Sequence, residues 1–124
     1  MMKISVYLFL TFALLSCGQS FNSNSKDFLL GSQTYCSDTS QTKLCVANEI
    51  IARNCINCHS GYHNSWASYL TNSDWLGSAM IVAGNSDNSA LILKLKNTGG
   101  NMPEGAAPLS DADYSALRSW IDSL

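Results

Sequence analysis

The sequence predicts an all-α domain of three or four short helices, and three observations carry that prediction. Apolar residues recur at helical spacing in three separate stretches. No stretch alternates apolar and polar residues as a half-buried strand would. The composition, 46% hydrophobic with 13% charged residues and two prolines, is that of a chain that folds. At 124 residues it holds one small domain at most. In the first stretch Val46, Ile50 and Ile51 set an apolar face on a helix leading into Cys55. In the second, Ser89 to Lys96 carries Leu91, Ile92 and Leu95, and Gly99-Gly100 ends it. The third opens on Ser110 with Asp113 three positions later, a capping box with aspartate in place of glutamate. Tyr114, Leu117 and Ile121 then share one face, flanked by Trp120.

The first sixteen residues are expected to lie outside that domain. Lys3 supplies a short positive start, and Ile4 to Leu15 is an uncharged, largely apolar run. A membrane-spanning helix needs about 17 to 25 apolar residues, so the run reads as the core of an export signal. The segment Leu14-Leu15-Ser16-Cys17 resembles the lipobox of bacterial lipoproteins, which implies lipid on Cys17 as the new N-terminus. The other reading is an ordinary cleaved signal with an unpaired cysteine. On either reading the chain is exported, to the periplasm or cell envelope, and the resemblance adds a lipid anchor to a membrane. Gln19 to Lys26 is Ser/Asn-rich, so residues 17–34 are expected to be a flexible tether and 35–124 the domain. Formal charge is −2, and the most basic feature is the pair Lys94 and Lys96, which argues against nucleic acid as a partner.

Five cysteines need places: Cys17, Cys36, Cys45, Cys55 and Cys58. Cys36 and Cys45 suit a disulfide, with turn-like Ser37-Asp38-Thr39-Ser40 between them and an oxidising compartment around them. Such a closure is worth about 2.7 kcal/mol on the loop-entropy relation. Two free buried thiols are the alternative. A zinc site built from Cys36, Cys45, Cys55 and Cys58 lacks the two close ligand pairs that structural zinc sites use. A thioredoxin-like pair needs a βαβ setting, which the pattern before Cys55 does not offer.

Neither rival explains why His59 follows Cys58 directly. In Cys55-Ile56-Asn57-Cys58-His59, two thiols three positions apart suit thioether bonds to the two vinyl groups of one haem. The adjacent histidine then lies under the ring as an iron ligand. Met1 and Met2 leave with the signal, so Met80 and Met102 remain as candidates for the other axial position. Met102 sits in Gly99-Gly100-Asn101-Met102-Pro103, where the backbone is held extended to present a thioether, whereas Met80 has apolar neighbours and suits packing. His63, four residues after His59, suits a loop histidine. An open or His63-bound distal site is the alternative to Met102.

From about Asn48 to Leu124 the chain resembles the small single-haem class I cytochrome c domain. The residues that carry this are Cys55-Ile56-Asn57-Cys58-His59, the segment Gly84 to Leu91 with Ser89, then Met102-Pro103, then Trp120-Ile121. The resemblance implies three or four helices around one covalent haem c, the first and last crossing, with Cys55, Cys58, His59 and Met102 holding it. It also implies a one-electron carrier that meets a redox donor and acceptor protein in turn, and not an enzyme. Asp74, Asp87, Asp111 and Asp113 read as turns and helix starts. Trp66, Tyr69 and Arg53 are candidates to line the pocket or bond a propionate, with plain packing or exposure as the other reading. Two further classes stay open: a haem-based sensor or enzyme subunit with a free distal site, and a docking lipoprotein whose haem is incidental.

Overall fold

A computed structural model describes residues 23–36, 41–60 and 66–124, residues 23 and 36 through their backbone alone. The signal segment 1–16, Cys17 and His63 lie outside the described residues. The described chain is helical with no strand, as expected for an all-α domain, but it holds six helices where three or four were expected. They are α1 (Ser23–Cys36), α2 (Thr42–Asn54), α3 (Ile56–His59), α4 (Asn72–Gly77), α5 (Ala90–Leu93) and α6 (Asp111–Asp122).

Helix α1 replaces most of the expected tether. Its Ser- and Asn-rich sequence has little helical propensity of its own, and the pairing of its inner face overrides that. Ser25, Phe28 and Ser32 fall on one side of the helix and are each 2% exposed or less. Phe28 joins the core cluster. The two hydroxyls bond Ala52 O (2.9 Å) and Leu29 O (3.0 Å), so neither serine is buried unpaired. Residues 23–34, expected to be part of a tether, thus lie in a helix packed on the domain.

Helices α2 and α6 form the main packing pair and run antiparallel. Lys43, at the start of α2, donates to Ser119 O near the end of α6 (3.3 Å), while Arg53, at the end of α2, meets Asp113 at the start of α6 (3.2 Å). The inner face of α2 is Leu44, Ala47, Asn48 and Ile51, all buried. Val46, expected on that face, is 41% exposed. From α6, Leu117, Trp120 and Ile121 are buried, while Tyr114 packs partly against them.

The capping boxes fall differently from the sequence pattern. Ser110 accepts from Asp113 N (3.1 Å), but the Asp113 carboxylate turns to Arg53 instead of closing a box. The complete box is Thr71-Asn72-Ser73-Asp74, at the start of α4: Thr71 accepts from Asp74 N, and Asp74 Oδ2 accepts from Thr71 N at 2.8 Å. The same carboxylate oxygen accepts from Thr71 Oγ1 (2.7 Å) and Leu70 N (3.0 Å). The second expected helix is also cut short. Leu95 leaves helical geometry for extended backbone and pairs in a single parallel bridge with Met102, so α5 ends at Leu93. The segment before it is pinned to the end of α6, where Asp122 accepts from Ser86 N (2.8 Å) and Ser86 Oγ (3.0 Å).

Hydrogen bonds hold the Asp74 carboxyl below the usual range, chiefly the one from the Thr71 hydroxyl. A depressed folded value means stability that is present above the unfolded carboxyl value near 4 and lost as pH falls through the folded one. In urea titrations, Thr71→Ala should cost about 1 kcal/mol at neutral pH. Asp74→Asn should be less stable than the parent at pH 7, with the gap closing as pH drops below about 4.

Candidate functional site

The end of α2 and the whole of α3 present the C-x-x-C-H residues. Cys55 N still bonds Ile51 O (2.8 Å), but Cys55 departs from helical geometry at φ −125°, and its carbonyl then accepts from both Cys58 N (3.1 Å) and His59 N (3.0 Å). The result is one tight turn. Ile56, with no exposed surface, anchors the turn in the core and leaves Asn57 and Cys58 facing solvent. Cys55 packs partly against the same core.

The cysteines divide into two chemical kinds. Cys45 is in a disulfide, while Cys55 and Cys58 are free thiols. The expected partner of Cys45 is Cys36, whose side chain lies outside the described residues. A bridged Cys45 has no thiolate to offer, which removes it from the four-cysteine zinc site considered above. Among the described residues no group of three or more His, Cys, Asp or Glu side chains could hold a metal ion. Burial pushes the Cys55 thiol up to about 12, with the neighbouring Cys58 adding to the effect.

His59 lies flat against Trp66, ring centroids 4.1 Å apart and planes 16° from parallel. Trp66 meets Trp75 edge-on at 5.3 Å, and Trp75 meets Tyr69 at 5.2 Å and Trp120 at 5.9 Å in the same manner. This aromatic group reaches from the C-x-x-C-H turn to α6. Stacking occupies a face of the imidazole, whereas metal coordination uses the nitrogens at its edge, so the two are compatible. Trp75, wholly buried, has an indole N–H with no hydrogen-bond partner. Nothing in the sequence singled it out; its signal is the Thr71–Asp74 capping box, which places Trp75 on a helix in an otherwise polar stretch.

Met102 is half-buried against the core, and its backbone is clamped: Met102 N donates to Lys94 O (2.9 Å) and Lys96 N donates to Met102 O (2.6 Å). Gly100 makes this approach possible, because a Cβ there would stand 2.2 Å from Lys94 O. Asn97 closes the loop by exchanging two hydrogen bonds with the backbone of Leu109 (2.9 and 3.1 Å). The structure thus brings Cys55, Cys58, His59 and Trp66 together in one place and holds Met102 on the same core. Tyr69 belongs to the aromatic group, and Met80 packs against the core as its apolar neighbours suggested. Arg53 does not join them, being paired with Asp113. Two clefts of about 420 and 390 Å³ open at the Lys43 end of α2 beside α6, and neither touches the cysteines, His59 or Met102.

A covalently held haem asks of a chain two thiols in register, an imidazole edge, an apolar wall and donors for its carboxylates. Here the thiols are unbridged, the imidazole is backed by an indole, and a buried N–H stands without an acceptor in the adjoining ring cluster. The residues present fit the group. Comparison with family models, curated proteins and solved structures returns no match for this chain.

Thiolate is the nucleophile in alkylation, so the raised and packed Cys55 should react at least a hundredfold more slowly than exposed Cys58 with iodoacetamide at about pH 8, read by mass spectrometry. Gly100→Ala should cost about 1–3 kcal/mol in urea unfolding, because its Cβ must displace the Lys94 carbonyl that holds Met102.

Proposed function

We propose that this chain is a single-haem c-type cytochrome that carries one electron at a membrane surface in the bacterial cell envelope. The observation that carries the reading is the turn at Cys55–His59: its two thiols stay free while Cys45 is bridged, and the next side chain is an imidazole braced on Trp66. Cys55 and Cys58 would hold the ring covalently, and His59 and Met102 would ligate its iron. When bound, the haem supplies a reversible one-electron couple, which Met/His ligation sets at the high end of the haem range.

The chain's own residues do the positioning. Trp66 restricts rotation of His59, and the bracket of Lys94, Lys96 and Gly100 presents the Met102 thioether without a search through loop conformers. The Trp75 N–H, which has no partner, would be available to a carboxylate of the group. Ligation by both His59 and Met102 would suit electron transfer and not turnover.

Lipid on Cys17 would hold the domain close to the bilayer. Among the described residues no helix is long and apolar enough to cross a membrane. With lipid on Cys17, donor and acceptor proteins would meet the domain near the membrane surface.

Expression in a host with a cytochrome c maturation system tests the reading. The denatured protein should keep its haem, and Cys55→Ser/Cys58→Ser should lose it. Met102→Ala should abolish the methionine-to-iron charge-transfer band and lower the potential by roughly 100 mV or more, within the ~0.8 V that axial ligands command. Ready binding of carbon monoxide by the reduced parent at neutral pH would instead indicate an open distal site and a ligand-binding role. A chain recovered without haem would overturn the proposal.

A further inference from the structure

Helix α1 touches the C-x-x-C-H turn at two points, one on each side of Cys58-His59. Asn24 Nδ2 donates to Ser60 Oγ at 3.0 Å, and Ser25 Oγ lies 3.0 Å from Asn57 Oδ1 and 2.9 Å from Ala52 O. A hydroxyl carries one proton. Ser25 shares it between the two acceptors, Ala52 O and Asn57 Oδ1, and so ties α1 to the end of α2 and to the turn. Ser25 is 1% exposed, and Phe28 one turn further on is seated in the core, so the register of α1 against the turn is set.

We propose that Asn24 and Ser25 are positioning residues for Cys58 and His59: α1 is a clip that keeps the attachment turn helical before anything is bound to it. The need is physical. Helix α3 has four residues, far below the length at which a helix stands alone in water, and the amides of Cys58 and His59 both rely on the single carbonyl of Cys55. Ile56 holds the inner side of the turn; the outer side, with Asn57 exposed, is held from α1. The proposal rests on the reading of Cys55–His59 as the attachment turn, and it adds an element that lies outside the stretch resembling a cytochrome.

Hydrogen exchange on the full reduced chain, without haem, is the test. Asn24→Ala combined with Ser25→Ala should speed exchange of the Cys58 and His59 amides about tenfold or more over the Trp120 and Ile121 amides of α6, the factor that two ordinary hydrogen bonds supply. Asn24→Ala alone, at an exposed position, should give part of the effect, and Asn24→Asp, which can accept from the Ser60 hydroxyl, should restore protection. In the maturation host the double variant should acquire covalent haem several-fold less completely than the parent at equal protein level. Exchange that does not change, or that rises equally in α6, overturns the clip and leaves a general packing role. If the parent itself takes up no haem, the reading of the site falls, while the exchange result still decides whether α1 holds the turn.

Discussion

Trp75 is the side chain on which the other parts of this small domain converge. It has no exposed surface and meets Trp66, Tyr69 and Trp120 edge-on, and through Trp66 it backs the imidazole of His59. Each such aromatic pair contributes about 0.5–1.5 kcal/mol beyond the area it buries, so the cluster supplies a few kcal/mol. That is a sizeable share of the roughly 5–15 kcal/mol by which a domain is stable. The unpaired indole N–H works the other way, at about 1–3 kcal/mol.

Around that cluster, the helices solve a problem of length. Helices α3, α4 and α5 are each too short to persist alone, and each is held from outside. Helix α4 has the Thr71–Asp74 box, α5 is fixed by the Leu95–Met102 bridge that follows it, and α3 is held by Ile56 below and α1 above. The same devices place the chemistry. The bridge that ends α5 also presents Met102, and the anchor that buries Ile56 turns Cys58 outward.

The cysteines show how fold and chemistry separate like residues. Cys45 lies on α2 in a disulfide, ten positions from Cys55, whose sulfur remains a thiol. The two free thiols differ in turn. One is packed and held protonated by burial, and the other is open to solvent at the next turn. The disulfide elsewhere on the scaffold leaves both of these sulfurs unbridged.

The all-α class, the α2 and α6 segments and the residues of the candidate site were legible in the sequence, because helical periodicity and a five-residue motif are local signals. Ser110 and its helix, and the packing role of Met80, could be read for the same reason. What depended on residues far apart in the chain could not be read. Ser- and Asn-rich composition indicated a tether, yet α1 forms because Phe28 finds the core and because Ser25 finds Asn57, thirty-two positions away. Asp113 left its expected box for Arg53, sixty positions away, because a charged partner outweighs a local amide. Leu95 left its helix for Met102. The sequence by itself determined which atoms are available for chemistry; only tertiary packing decided which of them are held, and by what, since propensity acts within a few residues and burial acts across the whole chain.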